Sequence, residues 1–126
     1  MAKNVIFSPA APAPIGPYSQ AIQVNNLLFV SGQIAIQQAT GTLVTGTIEE
    51  EAKQVMMNIA EVLSAAQYNF SHVVKTTIFL KDMNNFPKVN AVYGSYFASE
   101  PPARETVEVS RLPKDVNVEI SCIAVK

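Results

Sequence analysis

The chain has 126 residues, of which 48% are hydrophobic and only 15% charged, against roughly 25% charged for an average soluble domain. Its net charge is −1 and its pI near 5.8, which excludes the basic footprint that binding nucleic acid or an anionic membrane requires. The length fits one domain over residues 1–126. A single cysteine, Cys122, excludes an intrachain disulfide framework and fits a reducing, cytoplasmic setting.

The first third contains no charge between Lys3 and Glu49. A small domain so poor in charge struggles to solvate its whole surface, which points to a homo-oligomer, a closed symmetric ring or dimer, with a very apolar monomer as the alternative. The longest aliphatic and aromatic run there is Leu27-Leu28-Phe29-Val30, far short of the ~20 apolar residues of a membrane span. Pro9, Pro12, Pro14 and Pro17 break any leader-like apolar segment. The expectation is a soluble protein with neither a membrane nor a nucleic-acid partner.

Residues 8–19 hold too much proline for a helix or a central strand and predict an ordered loop. Ala21, Ile22 and Val24 alternate into Asn25-Asn26, followed by Leu27 to Val30, which predicts a hairpin with an Asn-Asn turn. Ser31-Gly32-Gln33 closes the second strand, and Thr40-Gly41 and Thr45-Gly46 mark turns. Thr47-Ile48-Glu49-Glu50 has the form of a capping box. Ile48, Ala52, Val55, Met56, Ile59, Val62, Leu63 and Ala66 then recur at helical spacing, predicting an amphipathic helix of ~19 residues. Glu49, Glu50 and Glu51 suit its dipole.

The β-branched run from Val73 to Leu80 predicts a strand. Asp82 or Asn84 caps a second helix with Pro87 in its first turn and an apolar stripe of Phe86, Val89, Tyr93 and Phe97, ended by Pro101-Pro102. Two further strands, residues 104–111 and 116–125, flank Leu112-Pro113-Lys114-Asp115 and are expected to pair as antiparallel neighbours. The order β-β-α-β-α-β-β predicts an α+β domain, a mixed sheet with both helices packed on one face. Oligomerisation would cover the other.

Neither His72 nor Cys122 belongs to a cluster with metal-ligand spacing, and the five glycines form no phosphate loop. His72 reads as a surface histidine in a turn. The last two strands are more informative. Strand parity sets Val107 and Val109 on one face and Thr106 and Glu108 on the other. It also sets Glu119 on the face opposite Val118, Ile120 and Cys122. Arg104 enters its strand behind the stiff Pro101-Pro102-Ala103 lead-in. A carboxylate inside so apolar a strand is costly unless paired or functional. Two readings stand side by side: an Arg104–Glu119 ion pair that fixes the sheet, or an active site. In the second, a guanidinium fork grips a carboxylate and a glutamate of raised pKa handles water.

Ile15-Gly16-Pro17-Tyr18-Ser19-Gln20, Ser31-Gly32-Gln33, Val89-Asn90-Ala91-Val92-Tyr93, Pro102-Ala103-Arg104, Val107-Glu108-Val109 with Arg111-Leu112-Pro113-Lys114-Asp115, and Val118-Glu119-Ile120 occur in that order. As a set, over essentially the whole chain, they resemble the Rid (YjgF-type) family of reactive-intermediate imine deaminases. The resemblance implies a chorismate-mutase-like fold assembled as a homotrimer with ligand clefts between subunits. It implies cofactor-free hydrolysis of 2-iminobutanoate and 2-iminopropanoate to 2-oxo acids and ammonia, and a link to the pyridoxal-phosphate dehydratases that release such imines. The alternative is a non-catalytic trimer that binds carboxylate metabolites and regulates a partner. Arg104 would clamp the substrate carboxylate and Glu119 would handle the attacking water. Tyr18, Ser31, Gly32, Asn90 and Thr106 match the remaining substrate-binding positions. Asn90 also reads as a solvated helix residue, and Ser31 as a plain strand end. The chain departs from the family at Thr106, where cysteine is common; a hydroxyl can hydrogen-bond but cannot supply a thiolate.

Overall fold

The computed structural model describes residues 2–126. Along the chain run β1 (Asn4–Ile6), β2 (Ala21–Val24), β3 (Leu27–Gln33), the short hairpin β4 (Ile36–Gln37) and β5 (Thr42–Leu43), and α1 (Ile48–Ala65). They are followed by β6 (Val73–Leu80), α2 (Phe86–Gly94), β7 (Ala103–Glu108) and β8 (Val118–Val125). One six-stranded sheet has the order β1-β2-β3-β8-β6-β7, and only β6–β7 is parallel. This is the expected α+β domain. Among the described residues, no helix is long and apolar enough to cross a membrane.

The β2–β3 hairpin forms in the expected register, Val24 opposite Leu27, with Asn25 at φ 53° taking the left-handed turn position that asparagine tolerates. The α1 helix starts at the Thr47 cap, whose side chain accepts the Glu50 N–H at 3.1 Å. Its stripe of Ala52, Val55, Met56, Ile59, Val62 and Leu63 is buried against Leu28, Val30, Ile78, Val118 and Ile120 of the sheet. Both helices lie on that face. On the other face Leu27, Phe29, Val107 and Val125 stay exposed.

Two polar residues sit in the buried stripe of α1, and the sequence reading did not single them out as core residues. Glu51, read as a dipole-complementing acid, is 4% exposed. Its carboxylate accepts the Asn117 N–H and Asn117 Nδ2 at 2.8 Å each and the Val118 N–H at 3.2 Å. Asn58 donates to the carbonyls of Ile34 and Ile36 at 3.0 and 2.9 Å, fixing the β3–β4 segment. Such groups stay buried because every donor they face is satisfied.

The expected pairing of the last two strands is not formed. β7 is joined to β6 through α2, and that strand–helix–strand unit lays it parallel beside β6 at the sheet edge. β8 inserts on the other side of β6, between it and β3. The connection between them crosses the end of β6: the Val109 N–H donates to Leu80 O at 2.8 Å and the Lys81 N–H to Asn117 O at 3.0 Å. A short Pro113–Asp115 helical turn with Lys114 and Asp115 at φ 55° and 57° makes this crossing instead of a hairpin. Consequently β7 stops at Glu108 and β8 starts at Val118, inside the expected 104–111 and 116–125. The α2 helix ends at Gly94, ahead of the prolines, as residues 95–97 tighten into three-residue turns. β1 and the β4–β5 hairpin are too short to show a periodic pattern.

Glu51→Ala is expected to lower folding stability by about 3 kcal/mol, because it leaves buried N–H groups of Asn117 and Val118 unpaired. Denaturant unfolding at one fixed protein concentration measures this, and Glu51→Gln, which keeps one acceptor, should lose less.

Candidate active site

The residues singled out from the sequence fall into two groups on opposite faces of the sheet. The first surrounds Glu119. Gln20 is buried, and its side chain ties the proline loop down: Oε1 accepts the Ser8 N–H at 2.6 Å, while Nε2 donates to Ser8 O at 3.1 Å and Pro12 O at 2.9 Å. These bonds hold the ordered loop that the sequence predicts. They carry Ile15 and Tyr18 to the rim of a cavity of about 520 Å³. Tyr18 is exposed there, its hydroxyl receiving the Ile15 N–H at 3.4 Å.

A bulge in β3 shapes the floor of this cavity. Val30 pairs with Cys122 and Gln33 with Ile120, so Ser31 and Gly32 together oppose Ser121. The Ser31 hydroxyl donates to Ser19 O at 2.6 Å, which leaves its oxygen able to accept. Gly32 is required for space. A Cβ there would stand 2.5 Å from Glu119 Oε2, so only glycine lets the carboxylate lie across the strand. Removal from water raises the Glu119 pKa above the ordinary glutamate value. The sequence reading missed Lys114 at this site. It lines the same cavity, and its position follows from the strained crossing turn.

The second group surrounds Arg104. Thr76 is the β6 partner of Arg104 and faces the helix layer, where its hydroxyl meets that of Tyr93 at 2.7 Å. Arg104 therefore projects towards α2, and its Nη1 donates to Asn90 Oδ1 at 2.7 Å. The guanidinium carbon lies 5.0 Å from the Tyr93 ring centre and 5.3 Å from that of Phe86. A pocket of about 450 Å³ opens beside it, lined also by Phe97 and the two prolines. Thr106 lies two residues further along the same face. Its Oγ1 is shielded from water with no partner among the described residues.

Arg104 and Glu119 do not form the ion pair that the sequence left open. On β6 they align with Thr76 and Phe79, on opposite sides of that strand. That separates them by about 10 Å along the strands and about 10 Å across two strand spacings. Thr76 points inwards and is buried, whereas Phe79 points to the uncovered face, so the side chains also diverge. Two other groups stand apart. His72 caps a short turn, its Nδ1 accepting the Asn69 N–H at 3.0 Å. Burial pushes the Cys122 thiol up to about 12, which keeps it a neutral core group.

Chemically, the Glu119 cavity offers a carboxylate biased towards holding a proton, a hydroxyl acceptor and one cation. The Arg104 pocket offers a guanidinium with a single N–H committed among the described residues. Gly32→Ala should displace the Glu119 carboxylate into water and return its pKa towards the ordinary range. Titrating its carboxyl carbon by NMR reads this directly, and a curve like wild type would mean the gap is irrelevant. The raised pKa also has a consequence for stability. Protonation of Glu119 favours the folded state below the ordinary glutamate pKa, and that contribution is lost as pH rises through the raised value. Glu119→Gln should therefore gain stability relative to wild type over that window, seen as a rising difference in Tm.

The family model described as Endoribonuclease L-PSP matches residues 8–126. A RutC family protein of Pyrococcus horikoshii is 55% identical, the match spanning 98% of this chain and 98% of that protein. A mouse protein named 2-iminobutanoate/2-iminopropanoate deaminase is 48% identical over 98% of this chain and 92% of its own length. The crystal structure of YyfA from Yersinia pestis, described as a member of the conserved Rid protein family, superimposes with a TM-score of 0.96 at 50% identity. That superposition covers 99% of this chain and 100% of the other. On sequence and fold alike, the chain belongs to the Rid family, the family of RutC and L-PSP proteins.

Proposed function

We propose that the protein hydrolyses small 2-imino acids to 2-oxo acids and ammonia at a site completed between copies of the chain. The observation that carries this reading is the divergence of Arg104 and Glu119. Each lines its own pocket, on opposite faces of one sheet. A single small substrate can meet both only if a neighbouring copy brings its Arg104 pocket against the Glu119 cavity. The exposed Leu27, Phe29, Val107 and Val125 supply an apolar face on which copies can pack, and a homotrimer closes such contacts in a ring. The name carried by the mouse relative supplies the reaction.

In this mechanism Arg104 grips the substrate carboxylate with its free N–H groups, and Asn90 holds the guanidinium in place. Glu119 accepts a proton from water as the oxygen bonds to the imine carbon. It returns that proton to nitrogen to give a carbinolamine, then takes the hydroxyl proton and delivers it to the same nitrogen as the carbon–nitrogen bond breaks. Ammonia leaves, and the carbon retains the oxygen as a 2-oxo acid. A pKa raised by removal from water makes Glu119 a stronger base towards water than an ordinary glutamate. Ser31, Tyr18 and the Gly32 backbone bound the reacting end, and Thr106 stands beside the clamp. The substrate's own electrophilic carbon leaves the protein to position it and to shuttle the two water protons to nitrogen.

In an assay where a dehydratase releases 2-iminobutanoate, wild type should accelerate formation of 2-oxobutanoate. Arg104→Ala should lower kcat/KM at least about a hundredfold. Glu119→Gln should bind 2-oxobutanoate normally while losing about a hundredfold or more in kcat. Mixing these two inactive variants and letting subunits exchange should restore some turnover, since some sites then pair an intact Arg104 with an intact Glu119. Mass in solution should be three times the 13.6 kDa chain. Binding of 2-oxo acids without acceleration by wild type would leave a carboxylate-binding regulatory module instead.

A further inference from the structure

We propose that Tyr93, locked by Thr76 and assisted by Phe86, is the positioning residue of the Arg104 clamp, fixing the plane in which the guanidinium meets a carboxylate. This rests on the reading of Arg104 as the group that holds the substrate carboxylate. Arg104 lies on the edge strand β7 and is itself exposed. An exposed arginine samples many rotamers, and freezing such a side chain on binding weakens affinity. Here the freezing has happened beforehand. The guanidinium carbon lies within 5.0 and 5.3 Å of the Tyr93 and Phe86 ring centres, and Nη1 donates to Asn90 Oδ1 at 2.7 Å. All three residues project from α2.

What makes Tyr93 the key member is the anchoring of its own ring. It is 4% exposed, and its hydroxyl meets Thr76 Oγ1 at 2.7 Å in the core. Thr76 is also the β6 residue directly paired with Arg104. The three residues therefore close a loop across three elements: β6 holds α2 through the hydroxyl pair, α2 holds the guanidinium through the ring, and β7 is hydrogen-bonded back to β6. Burial raises the Tyr93 pKa and keeps the hydroxyl neutral, so it can hold this bond throughout the physiological range. A phenylalanine would fill the same space, but it would leave Thr76 Oγ1 buried and unpaired. Packing alone thus does not explain a tyrosine here. Arginine, unlike lysine, presents a plane that a ring can orient.

The test uses the full-length protein and reads both the free clamp and the ligand. Tyr93→Phe and Thr76→Val should each raise KM for the imine, and Kd for 2-oxobutanoate, roughly threefold to tenfold at little cost in kcat. Tyr93→Leu, which removes the ring as well, should do more. In the Arg104→Lys background, which has no plane to orient, Tyr93→Phe should add little further loss. Without ligand, the Arg104 Nε–H order parameter should fall in Tyr93→Leu. Equal losses of affinity in the wild-type and Arg104→Lys backgrounds would overturn the proposal and leave Tyr93 a structural residue. So would an unchanged Arg104 order parameter. Because calorimetric binding and NMR need no turnover, they decide the matter even if wild type proves inactive on imines. If 2-oxobutanoate binding itself proves independent of Arg104, the clamp reading and this proposal fall together, separately from any result on turnover.

Discussion

The position of β6 between β7 and β8 is the constraint from which the rest of the site follows. A parallel strand must return through a crossover, and α2 provides it. That places β7 on the outer side of β6 and leaves β8 to enter on the inner side. Two strands adjacent in sequence are thereby separated in the sheet, and their charged residues are sent to opposite faces. An Arg104–Glu119 ion pair within one chain is impossible in this arrangement. Each group keeps its own pocket, and each remains available to another molecule.

The same helix layer that builds the core also sets the two pockets. The Glu51 carboxylate draws the start of β8 against α1, and Asn58 holds the carbonyls that run into the Glu119 cavity wall. On the other helix, Asn90 and Tyr93 arrange Arg104. Buried polar groups thus act where apolar packing is least directional, at strand ends and bulges. This is where hydrogen bonds specify geometry that burial alone leaves free. The glycine at position 32 belongs to the same logic, since a missing side chain lets a carboxylate settle on the backbone.

The Glu119 cavity carries charge of both signs. Lys114 stands at its wall because the crossing turn holds Lys114 and Asp115 in left-handed conformations. The Lys81–Asp115 pair at 2.9 Å braces that turn and holds the Asp115 carboxyl below the usual range. An exposed pair of this kind adds little to stability. It ties the crossing turn to the residue that follows β6.

Periodicity determined much of this protein without any tertiary information. The α1 stripe, the hairpin at Asn25-Asn26, the strand from Val73 and the inward face of β8 are legible because burial on one side imposes a repeat of 3.6 or 2. The motif set around Arg104 and Glu119 likewise carried the family resemblance in one dimension. Tertiary structure alone decided strand order, since a short connection reads equally as a hairpin or as a crossing over a third strand. It also decided that Glu51 and Asn58 are core residues, because a polar side chain in an apolar stripe shows no sign in sequence of the backbone groups it will satisfy. Above all it decided that Arg104 and Glu119 part company, a fact that depends on which strand lies between them and not on how far apart they stand in the chain.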